Sequence, residues 1–156
     1  GSGKSTLLRI ILGITTPTKG LIKRCNEDLK ISYLGHKNAI KNYLTPIENL
    51  ELLFNDVEIK IAYEWLHKFN LTHVQDELAA SPSFGQQKKL ALIRVLAQSP
   101  ELIVLDEPFV GLDQTAADQL NRFLEKQLSE GVGLIFTSHI NPKISCKVLD
   151  LEAKNV

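Results

Sequence analysis

Residues Gly1 to Thr6 read GSGKST, and no other stretch restricts the fold of this chain so sharply. Gly-x-Gly-Lys followed by Ser or Thr is the second half of a phosphate-binding loop, G-x-x-x-x-G-K-[ST]. Such a loop points backbone N–H groups at an anion and runs directly into a helix N-terminus, whose dipole adds to the attraction. The lysine reaches the β- and γ-phosphates of a nucleotide, and the hydroxyl after it ligates Mg2+. Gly1, Ser2, Gly3, Lys4, Ser5 and Thr6 are therefore candidate nucleotide contacts, with Ser5 also a candidate Mg2+ ligand. The helix that the loop requires follows. Leu7, Leu8, Ile11 and Leu12 form an apolar stripe, and Gly13 with the TTPTKG turn ends it. The first glycine of the full loop would lie three positions before Gly1.

Downstream, helical and strand patterns alternate, which predicts a parallel sheet with crossover helices. LIKRC (21–25) and ISYLG (31–35) read as short strands. TPIENLELLF predicts a helix with Thr45 as N-cap, Pro46 at its first position and Glu48 completing a capping box. IAYEWLHKF is amphipathic. Residues 86–98 and 114–129 have helical spacing, the first with Leu90, Ile93, Val95 and Leu96 available for burial. Leu102 to Leu105, and GVGLIFTSH ending at His139, read as buried strands.

The run LIVLDEP places two carboxylates at the end of an apolar strand. In open α/β folds that is the carboxyl edge of the sheet, where ligands bind. Asp106 is placed there to hold Mg2+ and Glu107 to orient or deprotonate an attacking water. A solvated Asp-Glu turn is common in isolation. It is a poor account of this pair about a hundred residues after a phosphate loop.

Between these elements lies PSFGQQKKLALIRVLAQ, Pro82 to Gln98, with Gln86 20 residues before Asp106. S-x-G-Q, a basic and apolar helix, then an apolar strand ending in DEP resembles the signature motif of the ABC-type ATPases. VGLD, ending at Asp113, resembles their D-loop, and FTSH resembles the strand end carrying their switch histidine, His139. Arg94 matches the usual arginine of the signature helix. The resemblance covers essentially the whole chain. It implies an α/β P-loop NTPase fold, specifically an ABC-type nucleotide-binding domain with a mostly parallel sheet. It implies one domain over 1–156, lacking its N-terminal strands and adenine-stacking residue, with a helical subdomain at roughly 42–98. ATP and Mg2+ are the implied substrate and cofactor. Ser83, Phe84, Gly85 and Gln86 would face the nucleotide of a second copy, so that a two-fold pair holds two composite sites. Glu107 and His139 would be catalytic, and Asp113 would lie in the D-loop. Without the upstream arm, residues 1–156 alone are expected to bind ATP poorly.

Three departures from that pattern stand out. Pro82 replaces the usual leucine of the signature, and Phe84 replaces its first glycine, from which weakened but not abolished closure is expected. His36 stands where most members carry the glutamine of the Q-loop, a further nucleotide-site candidate. That third departure falls in YLGHKNAIKNYLTPIENLEL. This stretch resembles the haem-exporter ATPases of cytochrome c maturation through Tyr33, Gly35, His36, Lys41, Leu44, Thr45, Glu48, Asn49 and Leu50. The subfamily implies a peripheral protein on the cytoplasmic or matrix face of an inner membrane, integral membrane permease partners, and haem as cargo of the complex. The ATPase motifs alone leave open another ABC transport system or a soluble ABC ATPase.

Bulk properties agree. The 156 residues carry 18 basic and 18 acidic side chains. A formal charge of zero argues against a nucleic-acid-coating protein, and no nucleic-acid partner is expected. No apolar stretch reaches about 18 residues, and Arg9 cuts the best one near the start. Cys25 and Cys146 lack metal-ligand spacing and read as idle thiols. His67 and His73 belong to no motif and are expected on the surface.

Overall fold

A computed structural model of the chain describes residues 3–23, 26, 28–139 and 144–151. Gly1, Ser2 and Cys25 lie outside the described residues. Three parallel strands form one sheet in the order β1 (Ile31–Leu34), β2 (Leu102–Asp106), β3 (Gly133–Thr137). The register pairs Leu34 with Leu105 and Asp106 with Thr137. Parallel neighbours need long crossovers. Between β1 and β2 the chain runs through α2 (Pro46–Glu51), α3 (Asp56–Lys68), a 3-10 turn at Thr72–Val74 and α4 (Phe84–Leu96). Between β2 and β3 it runs through α5 (Gln114–Ser129). Helix α1 (Lys4–Ile11) precedes the sheet. No helix among the described residues is long and apolar enough to cross a membrane.

Local chemistry sets the helix ends. Thr45 caps α2 and Glu48 returns the bond to the Thr45 N–H, with Pro46 in the first turn. Asn55 and Glu58 repeat the device on α3. Ser83 and Gln86 do so on α4, which therefore begins at Phe84, two residues before the sequence pattern places it. Each such cap satisfies backbone donors that a helix start leaves orphaned.

The core lies where α4 covers the sheet. Leu90, Leu92, Ile93, Val95 and Leu96 are at most 3% exposed, as are Ile103, Val104 and Leu105 of β2. Trp65 links helices, meeting Phe69 at 5.2 Å and, edge-on, Phe123 of α5 at 5.7 Å. Such pairs add about 0.5–1.5 kcal/mol beyond their area.

Two strand expectations are corrected. Leu21 to Lys23 are not a strand, and Leu21 and Ile22 are 74% and 44% exposed. β-structure needs a neighbouring edge, and that stretch pairs with none among the described residues; Arg24 and Cys25 lie outside them. β3 is half-buried, not fully buried, because only one of its edges is paired by a described strand.

Candidate nucleotide site

β2 and β3 end side by side, and their register delivers four polar groups to one place. Asp106 is 1% exposed. Its Oδ1 accepts a hydrogen bond from the Thr137 hydroxyl at 2.7 Å. The Glu107 N–H donates to that same hydroxyl oxygen at 2.9 Å. The Glu107 carboxylate turns toward His139, whose Nε2 lies 3.1 Å from Oε1. Glu107 has φ 49°, a left-handed backbone that costs a side-chain-bearing residue about 1 kcal/mol or more. The other oxygen of Asp106, Oδ2, is buried with no hydrogen-bond partner among the described residues. A buried carboxylate oxygen without a donor is unfavourable unless a cation meets it.

Lys88 on α4 is 3% exposed. Burial pulls its ammonium below the usual lysine range, and the charges of Asp106 and then Glu107 oppose that shift. A buried positive charge thus faces the two carboxylates from the signature helix.

Lys4 opens α1 next to this cluster. Lys4, Leu7, Leu8 and Ile11 share a cleft of about 490 Å3 with Thr137, Ser138 and His139. Gly3 takes φ 83° ahead of the helix, a conformation glycine adopts freely. Ser5 and Thr6 are exposed in the first turn. The structure thus brings Lys4, Asp106, Glu107 and His139 to one sheet edge. No group of three or more His, Cys, Asp or Glu among the described residues forms a metal cage. Mg2+ at a phosphate site does not require one, since it takes one or two carboxylates plus substrate oxygens.

The signature residues stand apart from that edge, at the start of α4. Ser83 spends its hydroxyl on the Gln86 N–H, and the Gln86 side-chain nitrogen lies 3.2 Å from His73 Nε2. His73 is thus exposed, as expected, yet it contacts the signature. Phe84 is 63% exposed, and its ring folds over Gly111: a Cβ added there would sit 2.7 Å from the ring. A Cβ on Gly85 would meet the Gly111 carbonyl at 2.7 Å. Glycine at 85 and 111 therefore lets the signature touch the D-loop of its own chain.

Asp113 strengthens that contact. Its Oδ1 caps α5 through the Ala116 N–H, and its Oδ2 pairs with Lys89 of α4. Lys89 first, and the Ala116 N–H next, hold the Asp113 carboxyl below the ordinary range. A depressed folded pKa gives stability that is complete above the unfolded value near 3.9 and disappears as pH falls through the folded value. Asp113→Ala is expected to cost about 1 kcal/mol at pH 7, mainly as a lost cap. Denaturant unfolding across pH checks this, since the gap from wild type should shrink below about pH 4.

His36 is exposed in the bend after β1 and makes no described contact with the Asp106 cluster. Arg94 instead holds this segment, donating to the carbonyls of Asn38 and Ala39 at 3.4 and 2.8 Å. Sequence reasoning missed Thr137, Lys88 and Lys89. No local signal marks any of the three, because each is placed by the packing of distant segments.

This fold, with a phosphate loop and an acidic strand end, is that of an ATP-hydrolysing cassette. The family model described as ABC transporter matches residues 1–110, and the chain belongs to that family. Two curated relatives are the cytochrome c biogenesis ATP-binding export proteins CcmA of Idiomarina loihiensis and Sodalis glossinidius. They are 35% and 38% identical over 150 and 154 residues. Each alignment covers 89% of this chain, and 69% and 72% of those proteins. Among solved structures, an ATP-binding subunit of an ABC transporter superposes with TM-score 0.76 at 26% identity, over 89% of this chain and 64% of that one. The dimeric bacterial cassette MJ0796 superposes with TM-score 0.73 at 28% identity, over 89% and 71%.

Proposed function

We propose that this chain drives a haem-handling export complex of cytochrome c biogenesis by hydrolysing ATP at a site completed by a second copy of itself. The observation that carries the reading is the Asp106–Thr137–Glu107–His139 cluster beside the cleft that Lys4 lines. The names of the CcmA relatives support the pathway, and the dimeric cassette supports the pairing.

In this reading Lys4 binds the β- and γ-phosphates, with Gly1, Ser2, Gly3 and Thr6 contributing the rest of the loop. Ser5 and the unpartnered Oδ2 of Asp106 would hold Mg2+, which supplies neutralisation of charge on the phosphate oxygens. Glu107 orients the attacking water and accepts its proton. His139 donates from its ring to Glu107 Oε1 before turnover and meets the γ-phosphate when ATP is bound. His36 takes the Q-loop place at the edge of the same site. Ser83, Phe84, Gly85 and Gln86 present the α4 N-terminus to the partner's nucleotide, where a helix start favours an anion. Asp113 fixes the D-loop against that helix.

The helices between β1 and β2 form the subdomain at roughly 42–98 that meets membrane permease subunits. Exposed Tyr43, Leu52 and Val57 (70%, 61% and 69%) supply apolar surface for such a contact. The protein would then sit peripherally on the cytoplasmic or matrix face of an inner membrane, with haem as cargo. Deleting the gene tests the pathway: covalent haem on c-type cytochromes should be lost and return with the wild-type copy. Normal haem attachment in the deletion strain would contradict the assignment.

A further inference from the structure

We infer that Thr137 is a positioning residue for ATP hydrolysis, its one hydroxyl setting where Glu107 and Asp106 stand. The inference rests on the ATPase reading above and adds a residue to it. Thr137 ends β3, directly opposite Asp106 in the strand register, and is 7% exposed. A hydroxyl has one proton to give and lone pairs to receive. Here the proton goes to Asp106 Oδ1 at 2.7 Å, so the oxygen is left to accept the Glu107 N–H at 2.9 Å.

Both bonds have consequences for chemistry. Glu107 has a left-handed backbone, φ 49°, which a non-glycine residue keeps only where its surroundings hold it. The Thr137 hydroxyl is the side chain that receives that residue's own N–H. This backbone turn carries the Glu107 carboxylate to 3.1 Å from His139 Nε2, two residues beyond Thr137. On the other side, the hydroxyl donates to Oδ1 of Asp106, while Oδ2 has no hydrogen-bond partner among the described residues. A single side chain therefore aims the base and fixes the orientation of the Asp106 carboxylate. Nothing in Thr137 itself needs to touch substrate.

Steady-state kinetics on the full-length protein, with ATP affinity and thermal unfolding measured on the same samples, tests this. Thr137→Val keeps the branched shape and removes the hydroxyl. Its kcat should fall about 10- to 100-fold, the cost of sub-ångström misplacement of a catalytic group, while ATP affinity and KM stay within about twofold. Thr137→Ser restores the hydroxyl and should recover kcat to within about threefold of wild type. In a Glu107→Gln background, Thr137→Val should lower turnover by a smaller factor than it does alone, since the part of its effect that runs through Glu107 is already lost. If Thr137→Val does not fold, Thr137→Ala takes its place in the same comparison. Wild-type kcat in the valine variant, equal losses for serine and valine, or parallel loss of affinity and thermal stability would each overturn the role. Absence of ATP turnover in the full-length wild-type protein would instead overturn the ATPase reading, and this role with it.

Discussion

Replacing Lys4 with alanine should weaken ATP binding about 10- to 100-fold. In the proposed reading the ammonium is the cation directed at the β- and γ-phosphates. A charge-assisted hydrogen bond of this kind is worth about 1.5–3 kcal/mol, and each 1.4 kcal/mol is a factor of ten in affinity. Lys4 lies in the first turn of α1 and lines the same cleft as Thr137, Ser138 and His139. Alanine is the best helix former, and Leu8 remains as the buried anchor of α1. The loss should therefore appear in affinity and not in folding. Titration of the full-length protein with ATP, beside thermal unfolding of the same variant, separates the two. Unchanged affinity would remove Lys4 from the site.

What the sequence made legible was chiefly local. The Thr45–Glu48 box and Pro46 specify the start of α2 within four residues, and the structure has that cap. The Ser83–Gln86 box is the same device, but those residues also spell the signature, which masks the cap of a helix that starts at Phe84. The strand that ends in Asp106 was visible as an apolar run because burial on both faces leaves no alternation.

What stayed hidden depends on register between distant segments. Nothing near Thr137 announces that its hydroxyl faces Asp106 across the sheet. The half-burial of β3 and the missing pairing of Leu21 to Lys23 are likewise properties of neighbours, not of their own residues. Lys88 is harder still, because apolar periodicity never assigns a lysine to the interior. Its burial becomes intelligible only once Asp106 and Glu107 lie close by. Phe84 was expected to crowd the partner's nucleotide; the structure adds that its ring rests on Gly111 of its own chain.

Glu107→Gln should separate ATP binding from hydrolysis, since Glu107 is proposed to act on the attacking water. Glutamine has nearly the same shape. Its amide oxygen can still accept from His139, and its backbone N–H can still reach Thr137. It cannot take a proton at neutral pH. General-base catalysis contributes about 10²- to 10⁴-fold, so phosphate release from Mg-ATP should fall by at least about 100-fold. ATP affinity should stay within about twofold, because Lys4, proposed for the phosphates, and Ser5 and Asp106, proposed for Mg2+, are untouched. Phosphate release and bound ATP should be measured on one sample of the full-length variant. ATP should be retained and phosphate release nearly abolished; release at the wild-type rate would remove Glu107 from the reaction.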